Sequence, residues 1–592
     1  MSKKQCKFDY SIIFFLLLPL LIFWLGNITV IFYNNDDFYL NQIVSGEFTG
    51  TPQAHLLHIG YLTGLLLKGL YTVLPALPWY GLLLFSYGYV SIMLSVYSVT
   101  KQIEKTALRI AASVFFAFIS IPFLWVHIIE LQYTTITAIV CATSLVHFYI
   151  AKEDPKPGIY LVKTLPSIIL FLLAVEIRDK ACFMFLPTFF LVGVVKWFKN
   201  RKLLKSILAY GGVLLCLCIL AFGINKIAYS SEEWSSFRTY NTARENIVDY
   251  NGYPDYETHR KEYEELGITP ASYESATTRY QLLLDENINT NFMVRMEELS
   301  HHFEPDIKQM LSTFLNRHIS DYSDRPLNLI VYILYFFTLL LIICTKRWKS
   351  LLDVGALFTG RMIVWLYLLY IGRPMPRVTQ GVYVMEFLLL LAILCSNKLL
   401  QIKGKKHVKE DSEDNHTQLK ATPKLPHRII ILLFIAASLF TCIKWGIPNF
   451  MVIREHSISR SNFSVAYDEL QNYFYENGEN LYLLDTNSFS YFTEDVFTKS
   501  EASCANTVLL GSWTANSPWT DAVARRFQIT SYEEAAVNRD DVYFVFMNTE
   551  STGYEYLEHY FQSKYPDSHM EIQDTILTSN GLEFYVLKVQ ND

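Results

Sequence analysis

The sequence predicts a polytopic α-helical membrane protein with an extracytoplasmic α/β domain at its carboxyl end. Three observations predict it. Eleven apolar segments have the character of membrane spans, the basic residues gather in alternate loops between them, and residues 447–592 change to short apolar strands alternating with amphipathic helices.

A hydrocarbon core about 30 Å thick is crossed by roughly 20 apolar residues in helical form, which satisfy their own backbone groups. The qualifying segments are centred within Tyr10–Phe32, Trp79–Val99, Thr106–Val126, Thr134–Ile150, Ile159–Val175, Phe183–Phe198, Ile207–Tyr229, Leu327–Cys344, Leu351–Ile371, Val378–Leu394 and Ile429–Trp445. The first follows a basic start yet reaches Tyr33 without a small-residue cleavage site, so it reads as an uncleaved span. The run Leu56–Leu74 is ambiguous. As a span it would put Lys101, Lys105 and Arg109 outside; as a helix lying in the external interface it leaves every strongly basic loop on one side. Those loops hold Lys3/Lys4/Lys7, Lys101/Lys105, Lys152/Lys156, Lys199/Arg201/Lys202/Lys205, Lys346/Arg347/Lys349 and the charged linker 399–428. Positive charge marks the cytoplasmic side, which predicts an internal amino terminus and an external carboxyl terminus in the plasma membrane.

Composition agrees. Charged residues make up 18% of the 592, below the roughly 25% of soluble domains. A net charge of −6 and pI near 6.2 carry no footprint of nucleic-acid binding. The nine cysteines fall mostly in or beside apolar segments and lack zinc spacing, so neither a disulfide framework nor a structural metal is expected.

Three segments face outward: 34–78, 230–325 and 447–592. The second is polar but aromatic-rich, which predicts short helices over the membrane. In the third, Ser464–Glu476 is an amphipathic helix; Leu481–Leu484, Val508–Leu510 and Val542–Phe546 are strands, and Glu571–Leu577 with Glu583–Val589 form a hairpin around Ser579–Gly581. No glycine-rich phosphate loop is present.

Directly after the first span stands Asn34-Asn35-Asp36-Asp37. Paired carboxylates at a membrane edge lose solvation unless they meet water, a cation or a hydroxyl; the plainer reading is that they begin a helix at the lipid boundary. An interfacial helix, the segment His55-Leu56-Leu57-His58 and the turn Pro75-Ala76-Leu77-Pro78 follow. This order resembles the GT-C superfamily of membrane glycosyltransferases, which take sugars from polyprenyl-phosphate carriers. Members carry an acidic residue at the start of the first external loop, surface helices after it, a large external loop after span seven and often a soluble external domain at the end. The resemblance covers residues 1–398 as a GT-C-like membrane domain, with 429–446 as the last span, and 447–592 more loosely. It implies Asp36 or Asp37 as the catalytic base, and His55 and His58 as pocket residues. It leaves metal use open: no cofactor is required, and a divalent cation serves some relatives.

Transfer from a lipid-phosphate sugar needs a base for the acceptor hydroxyl and cations for the departing phosphate. Two cationic clusters are predicted outside, against the prevailing bias: Arg178 with Lys180, and Arg373 with Arg377 in a proline-stiffened turn. Arginine's planar fork suits phosphate oxygens. The plain alternatives are pairing with Glu176 and Asp179 for the first cluster, and contact with lipid headgroups for the second. Arg361 falls near mid-span, where it needs a cavity or an acidic partner, and Glu386 needs a cation. His127 and Glu130 either line a sugar pocket or cap a span, and Arg244 with Asp249 and Tyr250 belongs to the second external segment. The expected partners are membrane lipid, a polyprenyl-phosphate sugar donor and a glycan or lipid-linked acceptor. Two other classes fit the same features: an oligosaccharide polymerase or ligase, which would not need the carboxylates, and a non-catalytic scaffold for envelope assembly.

Overall fold

A computed structural model describes residues 26, 28–301, 304–401, 424–490, 492, 495–497, 503–549 and 553–591. Most of the first expected span and most of the linker lie outside them. Among the described residues, nine helices are long and apolar enough to cross a membrane: Trp79–Thr100, Thr106–Ile129, Tyr133–Ile150, Pro157–Phe183, Arg201–Ala228, Leu327–Thr345, Trp348–Tyr370, Pro376–Ser396 and Pro426–Glu476. Tyr133–Ile150 and Pro376–Ser396 occupy the middle of the bundle, while Arg201–Ala228 lies largely on its outside.

The expected span Phe183–Phe198 is a shorter helix, Leu186–Lys199, of 14 residues. At 1.5 Å per residue it covers about 21 Å, less than a bilayer core. The ambiguous run Leu56–Leu74 contains a 13-residue helix, Tyr61–Val73, with Leu67 and Tyr71 packed inward and Leu65, Leu66 and Val73 exposed. It too is shorter than a span.

Networks of polar side chains gather at each end of the bundle. At one end Lys199 pairs with Asp353 at 2.6 Å, and Asn397 donates to Asp353 and to the Tyr149 hydroxyl, both at 3.0 Å. Lys196 donates to the carbonyls of Phe148 and Tyr149, which cap the end of Tyr133–Ile150, and Lys398 pairs with Glu104. The basic loops at 101–105, 149–156, 199–205 and 397–398 therefore share this end. The other end carries the segments 28–78 and 230–325 and the carboxyl-terminal sheet.

At that second end β1 (Ile31–Phe32) pairs in parallel with β2 (Glu130–Leu131), with Ile31 opposite Glu130 and Phe32 opposite Leu131. This short pairing sets the helix Asn35–Ser45 beside the start of Tyr133–Ile150. Gly46 ends that helix in the left-handed region (φ 93°), where a Cβ would stand 2.7 Å from the Pro52 nitrogen.

The last membrane helix does not stop at residue 446. A π turn at Cys442–Gly446 leads into Ile447–Glu476, so helix Pro426–Glu476 runs 51 residues from the bundle into the terminal sheet region. The boundary expected at 446/447 is helical because the widened turn accommodates Pro448, whose ring would otherwise meet the carbonyl four residues earlier. Five strands follow: β3 (Leu481–Leu484), β4 (Thr507–Leu509), β5 (Val542–Met547), β6 (Ser568–Leu577) and β7 (Glu583–Asn591), in the order β4-β3-β5-β7-β6. β3 is parallel to β4 and β5, and β7 is antiparallel to β5 and β6. Segment 230–325 docks on this sheet region: Leu283 N–H donates to the Leu510 carbonyl at 2.7 Å, Gln281 to Asp485 at 2.6 Å, and Lys564 pairs with Asp285 at 3.1 Å.

Candidate functional site

A cavity of about 860 Å³ opens where the bundle meets the three segments of its second end. One wall is apolar and comes from the helix Trp348–Tyr370, through Ile363, Val364, Tyr367 and Leu368. The rest is polar. Asp36, His58, Arg178, Lys180, Arg244, Arg373 and Arg377 all line it, together with Glu245, Asp249 and Trp513. Five cationic side chains thus face three carboxylates, an excess that favours anions.

Local structure explains how each arrives. β1–β2 pairing brings Asp36 against Tyr133, whose hydroxyl lies 3.5 Å from Asp36 Oδ2; Asn34 Nδ2 donates to the same oxygen at 3.2 Å. Arg178 is an extended residue (φ −158°, ψ 99°) within the otherwise helical Pro157–Phe183, and this kink turns its guanidinium over the Tyr133 ring, 5.2 Å from the centroid. Arg373 lies over Tyr250 at 4.5 Å and 3.6 Å from Asp249; Lys180 lies 3.3 Å from Glu245. Arg377 enters at the start of Pro376–Ser396, after a turn whose Gly372 has φ 70°. The Lys180 ammonium thus pairs with Glu245 rather than with Glu176 or Asp179, while Asp179 accepts the Lys180 backbone N–H at 2.6 Å and acts on Arg178 as a nearby charge. Glu176 instead receives the backbone N–H of Thr63 at 3.4 Å, and its own carbonyl accepts from Gly60 N–H at 2.8 Å. Gly60 is required for this approach, since a Cβ there would lie 2.3 Å from Glu176 Oε2.

The two adjacent carboxylates separate completely. Asp36 is half-buried and faces the cavity; Asp37 is fully buried and does not reach it. Asp37 Oδ1 accepts from the Tyr80 hydroxyl at 2.8 Å and from Tyr133 N–H at 3.1 Å, while its Oδ2 has no partner among the described residues. Burial raises its pKa well above the ordinary carboxylate value, against the lowering effect of the Tyr80 bond. Asp37 ties three elements together, and of the pair only Asp36 is placed to act as a base in the cavity.

His58 sits in the cavity wall between Tyr133, stacked at 6.0 Å, and Trp513 at 5.2 Å. Burial, and next the charges of Arg178, Arg244, Lys180 and Arg377, hold its pKa well below the usual imidazole value, so it is a neutral ring. Its partner Trp513 was not expected from the sequence, nor was Glu245, which pairs with Lys180. Trp513 comes from the loop after β4, pressed against residue 280 so closely that a Cβ on Gly511 would stand 1.5 Å from the Tyr280 carbonyl oxygen. The available signal was a pair of tryptophans, Trp513 in the loop and Trp519 at the start of the helix Pro518–Arg526, on either side of the small residues 514–517.

Four expected residues lie elsewhere. His55 stacks on Trp234 at 4.3 Å and bonds the Ala228 carbonyl, which makes it a packing residue of the outer segments. Arg361 is inside the bundle with its Nε 3.2 Å from Glu386, the partner each required, and it contacts His318 and the Tyr383 hydroxyl. His127 and Glu130 line a second, smaller cavity. Among the described residues no group of three or more His, Cys, Asp or Glu is arranged to hold a metal ion. Compared with known protein families, curated proteins and solved structures, the chain matches none.

Proposed function

We propose that the protein is an integral membrane glycosyltransferase of GT-C-like architecture. It moves a sugar from a polyprenyl-phosphate donor to a hydroxyl of a cell-envelope glycan or polymer at the outer face of the plasma membrane. In this reading eleven segments enter the membrane, the basic end of the bundle is cytoplasmic, and the α/β domain is external. The observation that carries it is the single cavity shared by Asp36, from the start of the chain, and Arg178, Arg244, Arg373 and Arg377, from three later segments.

The chemistry follows from the placement. Asp36 takes the proton of the acceptor hydroxyl as its oxygen bonds to the anomeric carbon. The bond from that carbon to the phosphate oxygen breaks, and the guanidiniums with Lys180 hold the charge that gathers on the phosphate. The neutral rings of His58, Tyr133 and Trp513 offer apolar surface to the sugar. The wall Ile363–Leu368 offers the prenyl chain an apolar path along a helix whose Leu366 and Tyr370 are exposed.

The test is transfer by the purified protein with a panel of polyprenyl-phosphate sugars and envelope acceptors. Removing a general base typically costs about 10²–10⁴-fold. Asp36→Asn should lose at least about a hundredfold in rate while Asp37→Asn stays within about tenfold. Equal activity of Asp36→Asn and wild type would transfer the assignment to a polymerase or ligase that uses the arginines alone.

A further inference from the structure

The second cavity, about 250 Å³, lies across a thin wall from the first. Arg377 lines both. Along the chain Gln132 and Thr135 face the second cavity while Tyr133 and Thr134 face the first, so one helical turn divides them. Two π turns border the space. Ile121–Trp125 supplies Pro122 and Phe123, and Asn449 and Ile453 follow Cys442–Gly446. Widened turns of this kind recur at functional sites.

Its chemistry differs from that of the first cavity. Charge is balanced, with Glu130 and Asp324 against Arg325 and Arg377. Both carboxylates are already engaged: Glu130 lies 2.5 Å from His456 Nδ1, and Asp324 accepts from Arg317 at 2.9 Å and Thr379 at 2.6 Å. What remains over is the Arg377 and Arg325 guanidiniums, Arg325 Nε having no partner among the described residues, together with neutral hydrogen-bonding capacity. Among the described residues neither the amide nitrogen nor the amide oxygen of Gln132 has a partner, nor does His127 Nε2, although Gln132 is 1% and His127 8% exposed. Buried polar atoms are nearly always paired. A side chain that offers a donor and an acceptor together is complementary to hydroxyls, each of which gives and takes one bond.

We propose that this cavity binds a polyhydroxylated group, a sugar ring, with Gln132 and His127 as its hydrogen-bonding residues. Binding stands independently of catalysis. Its assignment to the acceptor, seated across Arg377 from the donor phosphate, rests on the transferase reading.

The experiment uses the full chain in lipid nanodiscs and measures binding of methyl glucoside, methyl galactoside and methyl N-acetylglucosaminide by saturation-transfer NMR and equilibrium dialysis. A parallel arm places a glucosyl-diacylglycerol in the nanodisc, to separate a soluble glycan from a lipid headgroup. Saturable binding in either arm is expected, weakened at least tenfold by Gln132→Leu and by His127→Phe and unchanged by Lys202→Ala, exposed at the far end of the bundle. Gln132→Leu should melt at or above wild type, since it removes two unpartnered buried atoms. No binding in either arm, or equal binding by wild type and both variants, would overturn the proposal and leave a water-filled space. Sugar binding that persists in a protein without transfer activity would refute the transferase reading while the site stands.

Discussion

Replacing Asp37 by alanine and by asparagine measures whether its carboxyl is the neutral tie that its surroundings indicate. Alanine removes the acceptor of two buried donors, the Tyr80 hydroxyl and the Tyr133 N–H. Each donor left unsatisfied costs about 1–3 kcal/mol, so Asp37→Ala should destabilise by about 2–6 kcal/mol. Asparagine keeps the accepting oxygen and puts an amide where the unpartnered Oδ2 stands. A protonated carboxyl already carries a hydroxyl there, so Asp37→Asn should fall within about 1 kcal/mol of wild type. The sign of the pH dependence follows from the raised pKa. From about pH 4 upward the unfolded chain ionises this residue, while the folded chain, with its raised pKa, does so only at a higher pH. The stability linked to the bound proton is therefore complete below that pH and is lost as pH rises toward the folded value. Asp37→Asn lacks this term, so its melting temperature should gain on wild type between pH 4 and pH 7. Thermal unfolding of purified protein, followed by tryptophan fluorescence at several pH values, reads both effects. If asparagine proves as damaging as alanine at pH 7, the carboxylate is charged in the folded state and the argument for Asp36 as the base of the pair fails.

Three further outcomes are expected. Gly64→Ala should destabilise by about 1–3 kcal/mol through overpacking, because its Cβ would stand 2.0 Å from the Ala54 carbonyl oxygen; Gly69→Ala, in the same helix with nothing within 4 Å, should be neutral or gain up to about 1 kcal/mol in the same melting assay. Arg373→Ala should weaken binding of inorganic pyrophosphate, measured calorimetrically, about tenfold or about 1.4 kcal/mol, and Arg373→Lys should recover only part of it, because lysine cannot reproduce the planar stack on Tyr250. In intact cells a membrane-impermeant maleimide should label a cysteine placed at Ser579 and not one at Lys202, both exposed positions at opposite ends of the molecule; the reverse pattern would invert the orientation.

Elements whose character is set by their own composition were legible in the sequence. A helix in lipid must satisfy its backbone within itself and span a fixed thickness, so apolar length alone located the nine long helices. The strands at 481–484 and 542–547 declared themselves by short apolar runs. Arg361 and Glu386 were recognisable as needing partners, since a charge within a span is costly, and they meet each other. Tertiary structure decided the rest, because it depends on which face of each element is covered. Asp36 and Asp37 are indistinguishable as neighbours in sequence; their fates diverge because consecutive side chains on a helix point about 100° apart, one toward the cavity and one toward Tyr80. Arg178 reached the cavity through a kink that no proline or glycine at that position announces, and Trp513 through a loop that folds back from hundreds of residues away. Periodicity and charge bias are local quantities, whereas a cavity is formed by chain segments that only long-range packing brings together.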